Sequence, residues 1–238
     1  MRQLLRLGVA ALLSASLIGC ASTGGLSTND PRDPFEHFNR SMFTFNEGFD
    51  RVVLKPAATA YGDYLPQFLQ DAISNVFGNI GDVWTSVNNF LQGKPRDGGT
   101  DLLRVVLNTT IGLGGLIDVG THAGLRKHDE DFGQTLAVWG VQSGPYLVLP
   151  LFGSSTVRDG FAKPIDWYGD PISYVERTRA KNIARVARLV DTRAAILNTS
   201  SLLEDAALDP YLFVRDAYLQ RRESRIWDGN VRPAASEP

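Results

Sequence analysis

From Phe35 onward the chain repeats apolar and polar positions with a helical period. Phe35, Phe38, Met42, Phe45 and Phe49 are three and four residues apart, which puts them on one face of a helix. Asp33 is placed to cap that helix, Pro34 suits its first position, and Glu36 stands at capping-box spacing. A second stripe, Leu69, Ile73, Val76, Ile80, Trp84, Val87 and Leu91, predicts a helix over 68–91. Gly78 and Gly81 interrupt it, so a bend or a close helix approach is expected there. Gly93 and Pro95 end it, and Thr100-Asp101 opens a further helix reaching about Thr110. Stripes of this kind usually face a core; for the Phe-rich one the alternative is a membrane interface.

The pattern then changes. Residues 111–119 read IGLGGLIDV, and after a charged loop at 126–131 the 26 residues Phe132 to Val157 contain no Asp, Glu, Lys or Arg. Glycine and proline break this segment too often for a straight spanning helix. It is either a buried core segment with turns or a hairpin at membrane depth or lining a pore, since irregular backbone survives there only when covered by protein or facing a cavity. Only Leu147 to Leu151 has strand-like content, and Pro150 interrupts it, so no strand set is expected.

Helical period returns from Tyr174 to Leu203, with Val175, Ile183, Val186, Val190, Ala194 and Leu197 on one face. Arg177, Arg179, Lys181, Arg185, Arg188 and Arg193 supply the other. That basic face is either simply solvated or set against anionic headgroups. Asp-Pro recurs at 170–171 and 209–210, the second opening a last helix that ends near Trp227. The sequence organises as residues 33–226 in one mainly α domain, with a disordered tail over 227–238.

Composition adds exclusions. With 21% charged and 43% hydrophobic residues in 238, the chain is of globular type. A net charge of −2 offers no basic field for nucleic acid. The N-terminus supplies an address: Arg2 and Arg6 precede an apolar run from Leu7 to Ile18, as in the first two regions of a secretory signal. The run is shorter than the roughly 20 residues needed to span a bilayer. Leu17-Ile18-Gly19-Cys20 follows and resembles a bacterial lipobox, with residues 1–19 as signal peptide and Cys20 the lipidated residue. The alternative for the chain's one cysteine is a stray buried thiol. Residue 21 is Ala rather than Asp, which by resemblance implies sorting to the outer membrane. Residues 20–32 then read as the lipidated cysteine and a flexible tether.

Catalytic and metal motifs are missing from the pattern. His37, His122 and His128 form no HExxH, and no second cysteine is present. Gly153-Ser154-Ser155 lacks the spacing of a nucleophile elbow, and Gly112-Leu113-Gly114-Gly115 is not a phosphate loop. The expectation is a protein without cofactor or enzyme activity.

Several segments in order resemble one family, the MlaA (VacJ) lipoproteins: 33–40 (DPFEHFNR) with 42–46 (MFTFN), 89–93 (NFLQG), and 108–119 (NTTIGLGGLIDV). Residues 132–136 (FGQTL) leading to Gly144-Pro145-Tyr146 and Leu149-Pro150 continue the match, which Asp209-Pro210-Tyr211, Arg215, Tyr218 and Arg222 close. The resemblance implies a ring of amphipathic helices around a central amphipathic channel, embedded in the inner leaflet of a Gram-negative outer membrane. Its periplasmic side faces a soluble phospholipid carrier. It implies non-enzymatic removal of mislocalised phospholipid from the outer leaflet, preserving lipid asymmetry, in association with a trimeric porin. By the same resemblance Gly140, Val141, Gln142, Gly144, Pro145, Tyr146, Leu149 and Pro150 belong to a channel hairpin, with Gln142 where the family pattern has glycine. Phe38, Asn39, Met42, Phe45 and Asn46 belong to a membrane-facing, gating helix. Lys163 and the basic residues of 177–193 are candidates for headgroup phosphates. The alternative function is a lipoprotein that scaffolds outer-membrane proteins.

Overall fold

A computed structural model describes residues 30–197 and 208–230. The signal peptide, Cys20, most of the tether, the segment 198–207 and the distal tail lie outside the described residues.

Helix α1 spans Glu36–Phe49, passes through a π turn at Asp50–Leu54, and continues without leaving helical backbone as α2, Lys55–Tyr64. Helix α3 is Gln67–Leu91 and α4 is Pro95–Thr110. Short helices α5 (Val119–His122) and α6 (Phe132–Val138) follow. Strands β1 (Tyr146–Leu149) and β2 (Gly153–Thr156) form an antiparallel hairpin, with Tyr146 opposite Thr156 and Leu149 opposite Gly153. Helix α7 (Val157–Gly169), a 3₁₀ turn (Pro171–Tyr174), α8 (Thr178–Ala195) and α9 (Pro210–Ile226) complete the chain.

Packing closes on itself. The π turn joins α1 to α2, α2 packs on α8, α8 on α3, α3 on α6, α6 on α7, α7 on β1, and β1 returns to α1. Helix α4 lies along α3, and α9 lies on α6 and β2. The fold is mainly helical, as the sequence pattern and the family resemblance imply.

Several local expectations are corrected. Asp33 caps nothing: it is buried, accepts from Asn39 Nδ2 at 2.7 Å and from the Tyr211 hydroxyl, and pairs with Arg215. Helix α3 continues through Gly78 and Gly81, and the close approach at Gly78 comes from the Lys127 side chain rather than from another helix. Helix α4 starts at Pro95, five residues early, because Gly98 and Gly99 hid its first turns. A side chain at Gly98 would press on the Phe90 ring, so that glycine is what lets α3 and α4 approach. A hairpin was among the expectations for this segment, but its strand pairing was not, because Pro150 sits in its turn rather than in a strand, and because Gly153–Thr156 is poor in strand formers. Helix α8 opens at Thr178, not Tyr174, since Asp170 caps the intervening 3₁₀ turn through the Ile172 amide. The tether's end is docked: Tyr146 N–H donates to the Arg32 carbonyl at 2.8 Å, and Asp30 pairs with Arg215. Order also extends into the expected tail, where Asp228 meets Lys94 at 2.6 Å and the Asn230 amide donates to the Trp227 carbonyl.

Candidate functional site

The distribution of polarity is inverted. Among the described residues seven apolar side chains are buried, against 23 polar or charged ones, while 36 large hydrophobic residues are exposed. Water-soluble domains bury Ile, Val, Leu and Phe first and rarely show large contiguous apolar surface. An apolar exterior over a hydrogen-bonded polar interior is the arrangement that hydrocarbon surroundings require.

Helix α3 shows how the sequence produces this. Its buried residues are Asn79, Asp82, Thr85, Ser86, Asn88 and Asn89. Those of α4 include Asp101, Arg104 and Asn108. Steps of three and four in each helix place these on one face, and the two faces meet. Asn89 Nδ2 donates to Asp101 at 2.8 Å, Ser86 Oγ to the Gly98 carbonyl at 2.8 Å, and Asn79 to Thr109 at 3.0 Å. Arg104, fully buried, reaches Asp82 at 3.3 Å, both oxygens of Asp118 at 2.9 Å, Thr121 at 3.0 Å and the Leu125 carbonyl at 2.9 Å. Of the apolar stripe, Leu69, Val87 and Leu91 are exposed, and Ile73, Val76, Ile80 and Trp84 are half-buried.

Helix α1 behaves the same way. Phe35, Phe38 and Phe45 are exposed, so the core expectation fails for these three, while Met42 of the same stripe packs on the core. The adjoining face, with Met42 of the stripe at its border, grips the hairpin. Asn39, fully buried, donates from Nδ2 to the Tyr146 carbonyl at 3.0 Å and accepts the Val148 amide at Oδ1 at 2.8 Å. Two turns on, Asn46 donates to the Leu149 carbonyl at 2.9 Å and accepts the Leu151 amide at 2.7 Å. Asn39 satisfies the outer edge of β1 as a third strand would, and Asn46 ties down the turn that follows it. Met42 and Phe43 pack on the small core of Tyr146, Val148 and Tyr211.

The structure therefore joins Asn39, Met42 and Asn46 to Tyr146 and Leu149. It leaves the other named residues apart. Phe38 and Phe45 point outward, as noted. Gly140 ends α6 at φ +93°, where the Val141 amide closes onto the Leu136 carbonyl. Val141 and Gln142 are exposed. Gly144 takes φ +65° beside Val157, and the Pro145 carbonyl accepts the Val157 amide at 3.0 Å. Pro150 occupies the hairpin turn. Of the basic face of α8, Arg188 is committed to Asp170 at 2.7 Å and Arg193 to Asp50 at 2.7 Å, within the protein.

Two features escape sequence reading. One is the buried ion network around α9, where Arg222 binds Asp131 at 2.5 Å and Asp159 at 2.9 Å, and Tyr218 donates to Asp159 at 2.9 Å. The other is backbone strain: Leu113 and Leu151 adopt φ +54° and +66°, and their side chains are 68% and 54% exposed. The left-handed region costs a residue with a Cβ about 1–2 kcal/mol.

Titration divides the carboxyls. For Asp131 and Asp159 burial acts upward, but Arg222 outweighs it and both lie below the ordinary range. Burial likewise pushes Asp118 up, yet hydrogen bonds from Thr121, Arg104 and Asn108 bring it well below. Burial raises Glu130, Asp101 and Asp166 despite their hydrogen bonds. A lowered carboxyl contributes stability that is present above its unfolded pKa of about 4 and lost as pH falls through the folded value. A raised one destabilises at neutral pH, and that cost vanishes on protonation. Thermal stability in mild detergent should therefore hold or rise from pH 7 to about 5 and fall steeply below about 4. A steady decline across pH 7 to 5 would contradict this division.

Among the described residues no group of His, Cys, Asp or Glu is placed to hold a metal, and no helix is long and apolar enough to cross a membrane.

Comparison with known proteins agrees with this surface. A family model described as MlaA lipoprotein matches residues 31–225. The intermembrane phospholipid transport system lipoprotein MlaA of Escherichia coli (strain K12) is 38% identical over 240 residues, 96% of this chain and 92% of that protein. Its counterpart of the same name in Haemophilus influenzae is 32% identical over 235 residues, 93% and 90% of the two chains. A solved structure described as "Structural basis for maintenance of bacterial outer membrane lipid asymmetry" superposes with a TM-score of 0.71 at 38% identity, covering 83% of this chain and 99% of that one.

Proposed function

The chain belongs to the MlaA lipoprotein family, and from that premise we propose that it carries phospholipid between membranes and so maintains the lipid asymmetry of a Gram-negative outer membrane. Phospholipid strayed into the outer leaflet enters an amphipathic channel through the ring of helices and passes to a soluble periplasmic carrier. A trimeric porin holds the ring in place, and acyl chains on Cys20 anchor it.

The observation that carries the reading is the inverted polarity on a closed circuit of helices. Exposed phenylalanines, leucines and valines belong among acyl chains, and the buried Asn, Asp and Arg seam keeps polar groups away from them. Among the described residues no helix is long and apolar enough to cross a bilayer, and the family resemblance puts such a body within one leaflet. Moving a lipid breaks no covalent bond, so the function asks for no catalytic group. The moving element in this reading is the hairpin of residues 146–156 with the glycine-flanked segment 140–144 before it, released from Asn39 and Asn46.

The test is a deletion strain complemented with the wild-type gene or with Cys20→Ser. Outer-leaflet phospholipid should accumulate on deletion, return to normal with wild type, and stay elevated with Cys20→Ser. No accumulation on deletion would favour a scaffold over a transporter, and full rescue by Cys20→Ser would remove the anchor from the mechanism.

A further inference from the structure

Eight glycines among the described residues take positive φ, so this chain uses glycine where the left-handed region is needed. Three other residues depart from that habit: Leu113, Leu151 and Asp228. Asp228 is of the type that tolerates such backbone, because a short polar side chain can bond locally, and its carboxylate meets Lys94 at 2.6 Å. Leucine is a poor choice for such backbone. At Leu113 the contrast is sharp, since Gly114 and Gly115 directly after it adopt φ +73° and +94°. At Leu151 the turn has Pro150 before it, and the position with positive φ is the one a glycine or asparagine ordinarily fills.

Both leucines project from loop tips. Leu113 stands beside exposed Ile111, Leu116 and Ile117; Leu151 stands beside exposed Phe152, whose ring packs 5.3 Å from that of Trp167. Each tip also lies in a charge-free stretch, residues 105–117 and 132–157. A tip can thus be immersed in hydrocarbon without carrying a charge into it. In water both side chains would leave the backbone strain unrelieved, with glycine the better residue. In hydrocarbon, transfer of the leucine side chain from water offsets the strain.

We infer that Leu113 and Leu151 are lipid-inserting tips, two loop apices that hold leucine against backbone strain so that its side chain sits among the acyl chains of the surrounding leaflet. This rests on the membrane placement proposed above and assigns two of its fixed points. The tips, with the helix faces between them, set the depth and tilt of the ring.

Because the sequence holds one cysteine, taken up by lipidation, single labels are clean. Full-length Leu113→Cys, Leu151→Cys and Leu102→Cys would each carry a nitroxide and be reconstituted into phosphatidylethanolamine and phosphatidylglycerol vesicles. Collision with oxygen, which concentrates in hydrocarbon, is compared with collision with a water-soluble nickel chelate. Leu102 lies on the exposed face of α4 and reports on the membrane placement itself. Several-fold higher oxygen than nickel accessibility at both tips, matching Leu102, is the expected result. Nickel-accessible tips with a protected Leu102 overturn the inference and leave the membrane reading standing. Tips shielded from both reagents overturn it too, since the chain would then be covering them itself. Nickel accessibility at all three overturns both.

Discussion

Replacing Arg104 with methionine should lower stability by about 3–5 kcal/mol, the range for removing one partner of a buried ion pair. The guanidinium is fully buried and gathers Asp82, Asp118, Thr121 and the Leu125 carbonyl. Methionine refills most of the volume and supplies none of the donors. Among the described residues Asp82 would keep only Lys127, at 2.6 Å. Asp118, held well below the ordinary carboxylate range in part by Arg104, would lose one of its stabilising contacts. For a chain of this size the loss lowers the thermal midpoint by about 6–20 °C, at ~2–4 °C per kcal/mol. Circular dichroism in mild detergent reads it directly. Lys127→Ala gives the scale, because Lys127 is 44% exposed and its loss should cost about 1 kcal/mol or less. If Arg104→Met cost no more than Lys127→Ala, the α3–α4 seam would not be what holds these helices together.

Asn39→Ala should be the second most damaging change, at about 2–4 kcal/mol, because it orphans two buried backbone groups of β1 at about 1–3 kcal/mol each. The Val148 amide and the Tyr146 carbonyl both lose their partner, and Asp33 loses a donor at 2.7 Å. Asn39→Asp should cost nearly as much, since a carboxylate cannot donate to the Tyr146 carbonyl. Asn46→Ala should cost about 1 kcal/mol, because the Leu151 amide it releases is exposed and water can replace the bond. Hydrogen exchange supplies a local reading: the Val148 amide should exchange far faster in Asn39→Ala than in Asn46→Ala. Equal rates would mean that β2 alone holds the strand. If the hairpin moves during lipid passage, Asn39→Ala will also change outer-leaflet phospholipid in the complemented strain.

Much of the helix inventory was legible from period alone. The stripes at 35–49 and 69–91 lie on α1 and α3, and Asp209-Pro210 opens α9 with Asp209 accepting the Leu212 amide. The pairing of the hairpin's strands was not legible, because its turn contains a proline and a strained leucine while its second strand is Gly-Ser-Ser-Thr. The link between the two candidate segments was not legible either. Asn39 and Asn46 are more than a hundred residues from the backbone they hold, and nothing local marks an asparagine as a strand edge.

The direction of the helix faces divides sequence from structure most clearly. A stripe of apolar residues every three to four positions records that two sides of a helix differ in polarity; it does not record which medium each side meets. Asn79, Asp82, Ser86 and Asn89 read as the solvated side of α3 until α4 supplies Asp101, Arg104 and Asn108 opposite them. The amino-acid order by itself marked α1, α3, most of α4, α8 and α9, the charge-free middle, the lipobox pattern and the family, but not α2, α5, α6 or α7. Only the tertiary structure decided that the polar faces turn inward and the apolar faces outward, because that choice depends on which surfaces find partners when distant helices meet.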